Sequence, residues 1–184
     1  RRLGSRRLET RQAPVLFAPE LARGLIGHFI AAVRGGALYR KASFLLDRLG
    51  TAVFPAFVTI YERPHLPKAL ASAPFDGEGV ATADRDLVSG GLLQGYVLDS
   101  YSGRRLGMQT TGNAGGVHNL IVEPGTLGQE ALLRQLGTGL WVTALLGHGV
   151  NLVTGDYSRG ASGFWVENGE VQYPVHEITI AGNL

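Results

Sequence analysis

Residues 150–184 read VNLVTGDYSRGASGFWVENGEVQYPVHEITIAGNL, and the fold class turns on this stretch. Asn168–Gly169 stands between two β-prone runs. This is the strongest short-range hairpin signal, because both residue types accept the positive φ of a tight turn. It predicts Gly163–Val166 paired with Glu170–Tyr173, with Trp165 and Tyr173 on facing strands as packing partners. Val150–Val153 reads as a further strand, and residues 154–160, TGDYSRG, as a polar loop between strands.

Working back toward the N-terminus, Leu140–Leu146 and His118–Glu123 read as strands and Leu127–Leu136 as a short helix. Residues 103–116 form a long loop. Asp86–Asp99 predicts a hairpin turning at Gly90–Gly91, with Leu92, Leu93, Tyr96 and Leu98 as strand material. Pro64, Pro67 and Pro74 make 62–79 a loop, while Val53–Tyr61 is β-rich despite Pro55. Two helices come first. One opens at Pro19, is apolar at 21, 22, 25, 26, 29, 30 and 33, and ends at Gly35–Gly36. The other covers Ala37–Leu49 and stops at Gly50. Residues 13–17, APVLF, form a short buried strand ahead of both. The sum is an α+β fold: two N-terminal helices, then a largely antiparallel, barrel-like or strongly curved sheet with one further short helix. It lacks the βαβ alternation of a doubly wound fold.

Composition narrows the function classes. The chain has 184 residues and is 45% hydrophobic, enough for one domain with a core or at most two small ones. No apolar run approaches the roughly 18 residues of a membrane span, and there is no cysteine for disulfides or thiolate metal sites. These features predict a soluble, cytoplasmic protein. Five bases (Arg1, Arg2, Arg6, Arg7, Arg11) crowd the first eleven positions with one acid, Glu9. Removing them from the totals of 17 bases and 15 acids leaves a slightly acidic body of 12 against 14. A nucleic-acid binder needs a basic stripe on a folded face, so no direct nucleic-acid binding is expected. The chain lacks an initiator Met and stops at an apolar strand. The expectation is an excised piece, with 1–12 a basic linker from a missing N-terminal domain.

Candidate chemistry is sparse. The histidines (His28, His65, His118, His148, His176) show no paired metal-ligand spacing, so no metal site is predicted. Gly160-Ala161-Ser162-Gly163 raises an independent serine hydrolase as an alternative, with His148 and Asp156 completing a triad. The plainer reading is a tight turn of small residues. Residues 110–116, TTGNAGG, could cradle an anion, but a phosphate loop needs a helix after it and a Lys near its end. A loop over a cleft fits better, with Asn113 as its candidate binding residue. Asp156, Tyr157, Ser158 and Arg159 have the polar and aromatic mix of a binding loop. A non-enzymatic peptide-binding scaffold is the other alternative.

Three blocks in order, VLFAPELARGLIGHF, VLDSYSGRRLGMQTTGNAGGVHNLIV and the opening stretch, resemble the C-terminal domain of the TldD/PmbA metallopeptidase family in its PmbA/TldE branch. Some members of this family carry the label modulator of DNA gyrase. The resemblance runs from about residue 13 to 184. It implies a C-terminal domain over 13–184, truncated at its C-terminus. Zinc-bearing TldD-type members carry HExxxH at the start of the first helix of this domain. Laid on that pattern, the first His falls on Ala18, the Glu on Pro19 and the second His on Arg23. Alanine offers no lone pair, proline no general base, and a guanidinium repels a cation. The resemblance therefore implies a subunit with no cofactor or catalytic residue of its own. Its partner is a zinc-bearing TldD-like paralogue or, failing that, a second copy, and its substrates are unfolded or modified peptides. The Gly24/Gly27/Ala31 face of the first helix and the loops 103–116 and 154–162 are the candidate interface and channel elements.

Overall fold

The computed structural model describes residues 4–184; Arg1 and Arg2 of the basic tail lie outside the described residues. In chain order the elements are β1 (Val15–Phe17), α1 (Pro19–Val33), α2 (Gly35–Leu38), β2 (Ile60–Glu62), β3 (Arg85–Ser89), β4 (Leu92–Leu93), α3 (Ser100–Leu106), β5 (Leu120–Val122), α4 (Gln129–Leu136), β6 (Gly139–Leu146), β7 (Asp156–Glu167) and β8 (Glu170–Asn183). They gather into two units. One takes residues up to His28 together with Gly125–Leu184, and the other takes Phe29–Pro124. The α+β class stands, with four helices and two mostly antiparallel sheets among the described residues.

The first unit is built on the sheet β1-β6-β7-β8. Asn168 and Gly169 have φ of 52 and 79°, as the hairpin turn requires, and Trp165 faces Tyr173 across β7 and β8. A Cβ at Gly169 would stand 2.8 Å from the Arg134 Cα, so glycine also lets α4 reach the turn. β1 adds in parallel to β6, Val15 opposite Leu140. Leu140, Val142, Ala161, Trp165 and Val175 form the core, with Val15, Phe17 and Leu21 packed against it. The hairpin is far longer than its apolar run suggested, because residues 156–160 continue β7 instead of looping. Small residues make this possible: a Cβ on Gly163 would collide with the Trp141 carbonyl, so only glycine lets β6 approach there. Val150–Val153 is not a strand. The Asn151 side chain accepts the Val153 N–H at 2.9 Å and turns the chain, leaving Val150 a single bridge to Tyr157.

The second unit carries the antiparallel sheet β4-β3-β2-β5. Its hairpin turns at Gly90–Gly91 as expected, with φ of 55 and 78°. Val33, Leu38, Ile60, Leu87, Val88, Leu93 and Leu98 are buried. Four expectations fail here: of Val53–Tyr61 only Ile60 and Tyr61 lie in a strand, and Tyr96 and Leu98 lie beyond the short β4. The second helix shrinks to α2, because Ser43 Oγ donates to the Ala32 carbonyl and accepts the Leu45 N–H, competing with helical bonds. The Tyr96 hydroxyl then holds the chain by bonding the Leu45 carbonyl and the Arg48 N–H. Conversely, α3 forms in a stretch expected to be partly loop, since Asp99 and Ser102 make a reciprocal capping box and Gly107 closes the helix at φ 67°. Among the described residues the strands form two open sheets and no closed barrel.

Candidate functional site

The start of α1 is where the resemblance placed zinc ligands. Ala18 is buried, its N–H donates to the Val142 carbonyl at 2.9 Å, and its carbonyl accepts the Leu21 and Ala22 N–H groups. Pro19 occupies the first helical position, where its missing N–H costs nothing. Arg23 is exposed. Among the described residues no group of three or more His, Asp or Glu side chains gathers closely enough to hold a metal ion. The donor set at 18, 19 and 23 does not fit zinc. A Cβ at Gly24 or Gly27 would meet nothing within 4 Å, so that side of the helix is open to the approach of another surface.

Residues 156–159 lie on β7, and strand alternation splits them between two faces. Asp156 and Ser158 are exposed; Tyr157 is 5% exposed, and Arg159 beside it on the same face is half-buried. Asp156 holds local structure: it accepts from Thr154 Oγ1 at 2.6 Å and Asn183 Nδ2 at 3.2 Å. Those bonds, Thr154 first, keep its carboxyl below the usual value. The Tyr157 ring meets the edge of the His28 ring on α1, centroids 6.3 Å apart at 70°. Burial, and then the charge of Arg159, lower the His28 pKa. Tyr157 Oη and Arg159 Nε are buried and make no hydrogen bond among the described residues. Such a group ordinarily costs about 1–3 kcal/mol when left unpaired.

The triad does not assemble. Ser162 is buried in the ladder opposite Ala144, while Asp156 lies six positions away on the same strand, roughly 20 Å of extended chain. His148 sits exposed four residues beyond Ala144. A nucleophile, base and orienting acid must be in hydrogen-bond contact.

Asn113 belongs to the second unit and is 4% exposed. Its Nδ2 donates to Glu62 at 2.9 Å and to the Gly116 carbonyl at 3.0 Å, and its Oδ1 accepts from Thr111 Oγ1 at 2.7 Å. These bonds pin the 110–118 loop, and Asn113 is spent on them. The loop closes on a buried carboxylate, Glu62, 2% exposed, which also accepts from Arg85 Nε and the His118 N–H, each at 2.7 Å. Asp76, also buried, takes the Ala114, Glu78 and Val80 N–H groups. Burial opposes ionisation of Asp76, but these three donors and the nearby His118 outweigh it and hold its pKa low. Sequence reasoning missed Glu62, Arg85 and Asp76, and weighed His28 only as a metal ligand. One signal was present: Glu62 keeps the inward phase of Ile60 along β2, a charge at a core position.

Comparison with known proteins agrees with the three sequence blocks. The family model of the PmbA/TldA metallopeptidase C-terminal domain matches residues 10–184. A Haemophilus influenzae protein named metalloprotease PmbA homolog is 62% identical over 184 residues, which are 100% of this chain and 41% of the relative. The Escherichia coli metalloprotease PmbA is 57% identical over 100% of this chain and 41% of its own. The chain thus spans about two fifths of the relatives it matches. Among solved structures, a Bacteroides thetaiotaomicron protein named as a modulator of DNA gyrase superposes with a TM-score of 0.93 at 33% identity, covering 99% of this chain and 41% of that one. TldE from Thermococcus kodakarensis superposes at 0.79 with 28% identity over 93% and 41%.

Proposed function

This chain belongs to the PmbA/TldD metallopeptidase family, and from that premise we propose that it is the C-terminal domain of a non-catalytic, zinc-less PmbA/TldE-type subunit. In this reading the subunit works with a zinc-bearing TldD-like partner to cleave unfolded or modified peptides in the cytoplasm. One observation carries it: where the family's zinc-binding pattern calls for His, Glu and His, this chain has Ala18, Pro19 and Arg23. The zinc, and the water activation it supplies, then belong to the partner. The domain's own part is to close one side of the peptide chamber and hold extended substrate, with the open Gly24/Gly27 side of α1 and the strand end near Tyr157 as contact elements. The acidic body speaks against direct nucleic-acid binding.

The test is peptidase activity on an unfolded peptide, measured with the full-length parent alone, its zinc-bearing paralogue alone, and both mixed. The expected result is activity only in the mixture, abolished by a chelator. Chelator-resistant activity in the parent alone overturns the reading.

A further inference from the structure

We propose that Tyr157, Arg159 and His28 form a receptor for a carboxylate of the bound peptide. The inference rests on the peptide-holding reading above and names the chemistry one site would recognise. Tyr157 and Arg159 alternate onto one face of β7, and His28 presents its ring to the same tyrosine from α1. Tyr157 is 5% exposed, yet among the described residues its hydroxyl finds no partner, and neither does the buried Nε of Arg159. No carboxylate among the described residues forms an ion pair with Arg159. Buried polar groups are ordinarily paired.

The unmet needs share one sign. Tyr157 Oη and Arg159 Nε can both donate, and His28, its pKa lowered by burial and by Arg159, is neutral and can donate through one ring nitrogen. One positive charge flanked by neutral donors matches a singly charged, planar acceptor, which a guanidinium binds in a charge-assisted bond. A peptide offers that group at its C-terminus or on an acidic side chain. A phosphate, with its second charge, would ask for more cation than the face supplies.

The experiment uses the full chain and three N-acetylated tetra-alanine probes: one with a free C-terminus, its C-terminal amide, and that amide with one alanine replaced by glutamate. Titration calorimetry should show one or both carboxylate probes binding about tenfold or more tighter than the neutral amide. Whichever acid is preferred identifies the source. Tyr157→Phe keeps the ring and should shrink that preference several-fold, and Arg159→Gln should remove it. Equal binding of all three probes to the unmodified chain overturns the carboxylate inference while the peptide-holding reading stands. A preference that survives both substitutions also overturns it. No binding of any probe overturns the peptide-holding reading and this inference with it.

Discussion

Replacing Glu62 with glutamine should unfold the second unit well before the first. Its carboxylate is 2% exposed, sits 2.7 Å from Arg85 Nε, and also accepts from Asn113 Nδ2 and the His118 N–H. Glutamine keeps the shape but removes the charge, and its amide nitrogen must confront one of these donors. Breaking a buried pair by removing one partner costs about 3–5 kcal/mol. The Arg85 side chain is 19% exposed, so water reaches part of it and the low end, about 3 kcal/mol, is expected. That is a large fraction of a typical domain stability of about 5–15 kcal/mol. Trp141 and Trp165 both lie in the first unit, so tryptophan fluorescence would miss the effect. Native-state hydrogen exchange at the His118 and Ala114 amides reads it directly, and about 3 kcal/mol is a roughly 100-fold loss of protection. Pairing Glu62→Gln with Arg85→Met should recover much of the loss, since the uncompensated cation goes too. A loss below about 1 kcal/mol would refute the reasoning, because the pair would then behave like a solvated surface bridge.

Other perturbations test the rest of the structure. The Asp76 pKa is depressed, so its stabilisation is complete above the unfolded carboxyl value of about 3.9 and fades as pH falls through the lower folded value. Acid titration of the second unit's exchange protection should show that loss, and Asp76→Asn should flatten it. Gly163→Ala drives a Cβ into the Trp141 carbonyl and should destabilise the first unit by about 2 kcal/mol or more, read by tryptophan fluorescence in urea. Asp99→Ala removes the capping box of α3 and should cost about 1 kcal/mol by thermal melting. Ser162→Ala in the full-length parent should leave the activity of the mixed enzymes unchanged; its loss would return the buried serine to the chemistry.

Where sequence reading succeeded, the signal was local. Asn168–Gly169 and Gly90–Gly91 are turns because their own backbones tolerate the positive φ a tight turn requires, and α1 starts at Pro19 because proline needs no donor there. It failed where a distant partner decided the outcome. Residues 156–160 look like a polar loop because Asp156 and Gly160 are of types depleted in strands. They are strand because β8 supplies their hydrogen bonds, Asp156 opposite Asn183 through Gly160 opposite Thr179. Residues 39–49 have helical periodicity, yet Ser43 and Tyr96 capture their backbone groups. Asn113 carries the marks of a binding residue, and the structure spends it on holding a loop to Glu62.

The sequence by itself determined the α+β class, the two glycine-built hairpin turns and the family, and with the family the absence of zinc-binding side chains at positions 18, 19 and 23. All of these depend on residue identity at fixed spacing. Only the tertiary structure decided that Glu62 is buried against Arg85, that Asp76 is buried on three backbone N–H groups, and that Tyr157 and Arg159 carry buried polar atoms with no hydrogen-bond partner among the described residues. Hydrogen-bond partnership between residues far apart in the chain is set by which backbones pack together, and beyond the inward phase of Glu62 no local pattern encodes it.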